Sequence, residues 1–206
     1  AEIGWTIGPA VIMAVIAVFT LISHFDLNGQ DRTDIVVSVD GERTSWDPEV
    51  VIVGQQWWWE FRYYFDGLEG VDLSDARHLP PADIVTANQL VIPTGSEIGL
   101  KILSRDVIHS YWIPALNGKR DAVPGRVAPW KIEAETPGVY FGQCTEFCGL
   151  SHARMQMQTI AVDPADFQTW IDEQIQPAVE ATNAAAVRGQ TVFEGQCARC
   201  HVVNGM

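Results

Sequence analysis

Two clusters of sulfur and imidazole side chains dominate the chemistry that this sequence could carry. The first, QCTEFCGLSHARM at 143–155, contains Cys144, Cys148, His152 and Met155. The second, CARCH at 197–201, holds the other two of the chain's four cysteines. Thiolate, thioether and imidazole groups bind redox-active metals and haem. Two different sets in 206 residues predict a protein that handles electrons.

The donors of the first cluster suit copper better than other metals. Zinc rarely takes a methionine, and magnesium or calcium requires oxygen ligands. A single blue-copper site uses one cysteine, two histidines and a weak axial methionine. Two thiolates beside one imidazole need another donor, and His109 in RDVIHSYWIP is the candidate. Two bridging sulfurs with two histidines can hold two copper ions that share one unpaired electron.

Other interpretations of these residues remain open from the sequence. Outside the cytoplasm, Cys144 and Cys148 could form a disulfide, and a zinc site is a further alternative. Taken singly, Met155 is more often a core residue and His109 a hydrogen-bonded polar residue. The combination of all these donors favours copper.

The second cluster has the C-x-x-C-H pattern of covalent c-type haem attachment. Cys197 and Cys200 would bond to the haem vinyl groups, and His201 would be the proximal ligand. A thioredoxin-like pair would need a βαβ setting, and a zinc knuckle would need further ligands nearby. Met206 is too close to His201 to reach the opposite haem face, so we expect the sequence to stop within the cytochrome domain. Because c-type haem is attached outside the bacterial cytoplasm, both clusters are expected on the periplasmic or extracellular side of the membrane.

The N-terminal segment is apolar enough to cross a membrane. No Asp, Glu, Lys or Arg occurs from Ile7 to Phe25, and a bilayer core needs about twenty such residues in a helix. A signal peptide is the alternative, but no basic residue precedes this stretch. We therefore predict a transmembrane helix at 1–26.

Short β-branched or aromatic runs follow the helix and predict an antiparallel sandwich or barrel at 27–162. The runs lie at 34–39, 49–65, 88–93, 97–103, 107–114, 125–135, 138–144 and 155–162. Residues 66–87 are expected to form a long irregular loop. Asp163 and Pro164 predict the start of a helix, which together with a linker occupies 163–186. A new segment, the start of the cytochrome domain, is predicted at 187–206.

Composition restricts the partners. The chain is 47% hydrophobic and 19% charged, which excludes a disordered acidic tail. Its net charge of −13 disfavours nucleic acid and favours a basic protein or a metal cation.

The sequence resembles subunit II of the haem–copper cytochrome c oxidases across residues 2–175. The family's binuclear copper motif, C-x-E-x-C-x3-H-x2-M, is intact from Cys144 to Met155. DVIHSYWIP at 106–114, followed by DAVPGR at 121–126, resembles the family's first-histidine segment. GQQWWWEF at 54–61 resembles its aromatic stretch, and EIGWTIGPA at 2–10 its second transmembrane helix. The first of the family's two helices would then precede the given sequence.

The resemblance implies a role for each matching residue. Cys144 and Cys148 would bridge two coppers, in the centre called CuA. His109 and Met155 would complete one copper, and His152 with the Glu146 carbonyl the other.

Three further roles follow from the same resemblance. The Glu146 side chain would reach a magnesium ion shared with subunit I. Trp57 would receive electrons, although it could instead only pack beside Trp58 and Trp59. Glu2 matches a carboxylate linked to proton uptake, or it simply favours the helix N-terminus.

The implied fold is a membrane-anchored, all-β protein: a transmembrane helix, a cupredoxin-like Greek-key β-barrel and the start of an α-helical class I cytochrome c domain. The implied function is electron transfer in a terminal oxidase of the bacterial inner membrane, from fused haem c, external cytochrome c or a bc-type complex to subunit I. Oxygen reduction and proton pumping would occur in subunit I, and further oxidase subunits and lipid would be neighbours. The alternatives are a non-catalytic oxidase subunit and another dicopper enzyme, such as nitrous oxide reductase.

Overall fold

The computed structural model describes residues 2–27, 36–39, 42–45, 49–198 and 201. Helix α1, Glu2–Leu27, confirms the predicted N-terminal helix. Within its stretch Glu2–Phe25, an 18-residue segment has a mean hydropathy of 2.2, and the side chains of the whole stretch are exposed. At 1.5 Å per residue this stretch is about 36 Å long, enough to cross a hydrocarbon core of about 30 Å.

Twelve strands occur in the described part of the chain, in four sheets. They are β1 Val36–Val39, β2 Glu42–Ser45, β3 Glu49–Gln55, β4 Trp58–Tyr64, β5 Ile84–Ala87, β6 Gln89–Pro93, β7 Glu97–Ser104, β8 His109–Tyr111, β9 Arg120–Ala122, β10 Ala128–Glu133, β11 Gly138–Gln143 and β12 Gln156–Val162. The large sheet has the order β10-β7-β3-β4-β5, and a three-stranded sheet has the order β11-β12-β6. Two antiparallel pairs, β1–β2 and β8–β9, complete the set.

The sheets are mixed, not purely antiparallel as predicted. β3 pairs in parallel with β7, and β12 pairs in parallel with β6, while the other ladders are antiparallel. β3 is almost entirely buried because Val50 to Val53 are all apolar, which is typical of a central strand. In β7 and β10, buried and partly exposed residues alternate, as expected where one face meets the core.

The aromatic run at 49–65 is a hairpin rather than one strand. β3 and β4 pair from Glu49↔Tyr64 to Gln55↔Trp58, and Gln56 and Trp57 form the two-residue turn, joined by a cis peptide bond. The sequence prediction failed here because the turn contains no Gly, Pro, Asn or Asp. The turn places Trp57, a predicted functional residue, at the tip of the sheet.

The predicted irregular loop is largely correct, but its last residues form β5. From Asp66 to Asp83 the backbone is irregular and yet anchored. Leu68, Leu73 and Ala76 are buried against β3, β4 and β7. The Arg105 guanidinium also donates a hydrogen bond to the Ala76 carbonyl, at 3.1 Å.

The chain divides into two compact units, residues 1–167 and 168–206. Helix α2, Pro164–Gln174, has the predicted start, with Phe167 N–H donating to the Asp163 carbonyl. In the second unit, helix α3, Ala184–Val192, begins three residues before the predicted segment because the Asn183 side chain caps it. A π-helical turn, Phe193–Cys197, follows.

Candidate metal centre

Two segments supply the predicted copper donors. His109 is the first residue of β8, and the ligand loop runs from Cys144 to Met155 between β11 and β12. The loop is closed at its base by a hydrogen bond from Cys144 N–H to the Met155 carbonyl, at 2.9 Å. Thr145 N–H donates to the Ser110 carbonyl at 3.0 Å and so joins the loop to β8. The two segments are therefore held in register by main-chain bonds.

These contacts bring the predicted donors together. The Cys144 Sγ lies 3.9 Å from the Cys148 Sγ and 3.9 Å from the His109 Nδ1. The Cys148 Sγ lies 3.5 Å from the His152 Nδ1 and 3.7 Å from the Met155 Sδ. The Glu146 carbonyl oxygen is 3.3 Å from the Cys144 Sγ. Among the described residues, His109, Cys144 and Cys148 form the group whose geometry suits a metal ion, and all three are buried.

The thiols of Cys144 and Cys148 form no disulfide, and the charge of one affects the pKa of the other. Both cysteines are free, so the site is not a disulfide in this structure. Burial raises the pKa of the Cys144 thiol, but hydrogen bonding with His109 and with main-chain groups outweighs this effect and brings the pKa to about 7. Burial and the negative charge of Cys144 raise the pKa of Cys148 to about 12. Two thiolates 3.9 Å apart repel each other, and a cation between them would relieve this repulsion.

His109 is oriented by a carboxylate that the sequence prediction missed. The Asp106 Oδ1 lies 2.8 Å from the His109 Nε2, and the Gln56 N–H donates to the Asp106 Oδ2 at 2.8 Å. Burial lowers the pKa of His109, but its contacts with Cys144 and Asp106 outweigh this and raise it. Since an ionised carboxylate only accepts, Asp106 favours the proton on Nε2 and leaves Nδ1 facing Cys144.

Gly54 in β3 lies behind the imidazole of His109. A Cβ at this position would be 3.0 Å from the His109 Cδ2 and 3.1 Å from the Trp59 ring, closer than side chains usually pack. The glycine therefore lets the histidine ring and the strand approach closely.

The hairpin turn contacts the ligand loop directly. The Trp57 Nε1 donates to the Cys148 carbonyl at 3.1 Å, and the Gln56 Nε2 donates to the same oxygen at 2.8 Å. Gly149 has φ +118°, and a Cβ there would lie 3.1–3.2 Å from both side chains. Trp57 itself is 36% exposed. The tryptophan thus bridges solvent and a cysteine of the site, whereas Trp59 is buried beside His109.

The donor set fits copper. Two sulfurs, two imidazole nitrogens, a thioether and a carbonyl converge, and soft sulfur ligands with imidazole select copper over magnesium or calcium. Met155 is completely buried with its sulfur beside Cys148, which a zinc site would not require. Glu146 is exposed, and no second carboxylate of the described residues joins it in a metal-binding group. Magnesium at Glu146 thus stays a prediction.

The predicted haem segment lies in the second unit. Cys197 ends the π-helical turn and is exposed, and His201 N–H donates to the Cys197 carbonyl at 2.9 Å. Cys200 lies outside the described residues, so its position relative to Cys197 is not described. Glu2 occupies the first turn of α1.

A comparison with known protein families identifies the family of the sheet-rich part of the chain. Residues 49–162 match the family described as "Cytochrome C oxidase subunit II, periplasmic domain". The chain belongs to the cytochrome c oxidase subunit II family. Within this family, the sheet-rich part is a cupredoxin-like periplasmic domain, preceded here by the apolar helix α1.

Curated relatives extend the match along the chain. Cytochrome c oxidase subunit 2 of Alkalihalophilus pseudofirmus is 34% identical over 206 residues, covering 99% of this chain and 53% of the relative. Subunit 2 of Bacillus sp. is 30% identical, covering 98% of this chain and 53% of the relative. The chain therefore spans about half the length of these relatives. Among solved structures, the periplasmic domain of subunit II (CoxB) of Bradyrhizobium japonicum is 29% identical with a TM-score of 0.49, covering 64% of this chain and 95% of that domain.

Proposed function

We propose that this chain is the electron-transfer subunit of a terminal cytochrome c oxidase and carries a binuclear copper centre. The observation that carries the proposal is the convergence of two unlinked, buried thiols 3.9 Å apart with two histidines and a methionine. A non-catalytic subunit would have no need to keep these donors together. Membership of the oxidase subunit II family supports the same function.

We propose the same roles for the donors as the family resemblance implies. Cys144 and Cys148 would each contribute a thiolate to both metals. His109 and Met155 would supply the remaining donors of one metal, and His152 with the Glu146 carbonyl would supply those of the other. A copper pair bound there would take up and release one electron at a time.

The surrounding residues keep these donors fixed. Main-chain bonds close the ligand loop, Asp106 fixes the ring of His109, and Gly54 admits the ring against β3. Donors held in this way move little when the charge of the site changes, which favours rapid electron transfer. Trp57, on the Cys148 carbonyl and partly open to solvent, is the proposed point of contact with the electron donor.

The remaining assignments follow from family membership and the sequence motifs. We propose that residues 27–162 form a Greek-key cupredoxin barrel and that α1 anchors it, facing the periplasm, in a bacterial inner membrane. Residues 187–206 begin a cytochrome c domain with haem on Cys197, Cys200 and His201. The partners are oxidase subunit I, where oxygen is reduced with proton pumping, and a cytochrome c or bc-type donor. Glu146 supplies the ligand for interface magnesium.

A metal inventory of the intact oxidase tests this function. We expect two coppers in this subunit, and an EPR hyperfine pattern of one unpaired electron shared by two copper nuclei. Cys148→Ser should abolish the shared-electron signal, while Cys197→Ser should leave it intact and remove normal covalent haem. Zinc in the β domain, or a signal from a single copper, would refute the dicopper proposal.

A further inference from the structure

Gln56 is the point at which the two ligand-bearing segments meet. Its main-chain N–H donates to the Asp106 Oδ2 at 2.8 Å, and the other oxygen of Asp106 contacts the His109 Nε2 at 2.8 Å. Its side-chain Nε2 donates to the Cys148 carbonyl at 2.8 Å. One residue of the hairpin turn thus contacts both the histidine segment and the ligand loop, 50 and 92 positions away along the chain.

The Cys148 carbonyl accepts two N–H donors side by side. The indole of Trp57 donates at 3.1 Å and the amide of Gln56 at 2.8 Å, so the two lone pairs of this oxygen are used. Gly149 permits the arrangement, since any Cβ there would press on both donors. The indole and the amide therefore depend on one acceptor, and each limits the movement of the other.

We propose that Gln56 is a positioning residue that holds the Cys148 carbonyl against the Trp57 indole and so sets the rate at which the metal centre accepts an electron. This inference rests on the proposed function and adds a residue to it. In this step, one electron leaves a reduced c-type haem of the donor, which is oxidised, and enters the oxidised metal centre, which is reduced by one electron. No proton moves and no covalent bond changes.

The expected effect follows from the strength of one neutral hydrogen bond. Without the amide, the carbonyl and the indole keep a single bond at a partly exposed position. Losing one such bond shifts an equilibrium by about two- to tenfold, so the population with Trp57 seated on the carbonyl, and with it the rate of electron uptake, falls by a similar factor. The metal donors themselves are untouched, so copper content should not change.

Two variants separate hydrogen bonding from packing. Gln56→Met keeps a side chain of similar length without the N–H donors. Gln56→Glu keeps the shape but places a carboxylate against the carbonyl, so it should slow electron uptake more than Gln56→Met does. The matched control is Gln89→Met, the same substitution at an exposed position in β6.

The first readout does not require activity. In full chains labelled with ¹³C at the cysteine carbonyls, isotope-edited infrared difference spectra compare each variant with the unaltered chain, with and without copper. Loss of one of two hydrogen bonds should raise the stretching frequency of one labelled carbonyl. We expect this shift in Gln56→Met, in both metal states, and none in Gln89→Met.

The second readout uses the intact oxidase complex. After rapid photoreduction of a bound cytochrome c, electron uptake by the copper centre should slow by about two- to tenfold in Gln56→Met. Onward transfer into subunit I should keep its rate. Adding Gln56→Met to Trp57→Phe should cause little further slowing, since both act at one carbonyl.

Several results would overturn the inference. These are an unchanged carbonyl frequency, an unchanged uptake rate, equal slowing of uptake and onward transfer, or loss of copper in both Gln56 variants. Failure of the proposed function is a separate outcome, because the unaltered complex would then lack two coppers whatever the infrared spectra show.

Discussion

Replacing Asp106 should weaken copper binding through His109. Asp106 accepts from the His109 Nε2 at 2.8 Å, from Val107 N–H at 2.6 Å and from Gln56 N–H at 2.8 Å. Asp106→Ala removes both carboxylate oxygens, and with them all three hydrogen bonds, and leaves a donor of the fully buried His109 unsatisfied, at a cost of about 1–3 kcal/mol. Partners behind metal-binding histidines are typically worth about 10–100-fold in affinity, which corresponds to about 1.4–2.7 kcal/mol.

Asp106→Asn should have a smaller effect, because its single amide oxygen can still accept from His109. Its NH₂ group would then face the Gln56 N–H, with two donors opposed. We therefore expect the unaltered chain to bind copper most tightly, Asp106→Asn less tightly and Asp106→Ala least tightly. Competition with a copper chelator measures these affinities. Asp121→Asn on the exposed surface of β9 makes the same change of charge near the site and should bind normally. Unchanged affinity in Asp106→Ala, or an equal loss in Asp121→Asn, would refute the reasoning.

Three further outcomes are expected. Burial raises the pKa of Glu60, but hydrogen bonds from Arg105 and Arg62 outweigh this effect and lower the pKa. Glu60→Gln removes the negative charge between these arginines and should therefore lower the free energy of unfolding at pH 7 by about 3 kcal/mol. This deficit should shrink as the pH falls below about 4 and the carboxyl becomes protonated in the unaltered chain; a deficit independent of pH would contradict the ion-pair argument. Gly142→Ala would place a Cβ 2.4 Å from the Trp112 carbonyl oxygen and should lower the free energy of unfolding, measured by denaturant titration, by about 1–3 kcal/mol. Gly138→Ala would make only a 3.9 Å contact and should leave the free energy of unfolding unchanged. Cys197→Ala should remove normal haem attachment, checked by haem staining after denaturing electrophoresis, and retained staining at full intensity would refute the assignment.

The donors were predictable from the sequence because they lie close together along the chain. Cys144 to Met155 occupy one loop, and donor chemistry alone indicated copper. His109 was also predicted, although its partner Asp106 was missed. A carboxylate three residues before a candidate histidine was the available signal. The role of Gln56 had no such signal, since its contacts are 50 and 92 positions away and depend on the pairing of β3 with β4.

The fold was less predictable than the donors. Strand patterns identified most of the sheet, and α1 and the start of α2 followed from apolar length and capping. The hairpin at Gln56 and Trp57 was missed because its turn lacks turn-forming residues. β9, only three residues long, also escaped prediction. The parallel pairing of β3 with β7 depends on long-range packing, which local patterns do not encode.

The anchored stretch 66–83 and the residues after α2 will respond differently to a protease. Leu68 and Leu73 are buried in the core, so cleavage around them requires strands to separate first. Side chains at 175–180 are all exposed and carry no such restraint. A brief digestion of folded material should therefore cut the polypeptide within 175–180 before it cuts within 66–83.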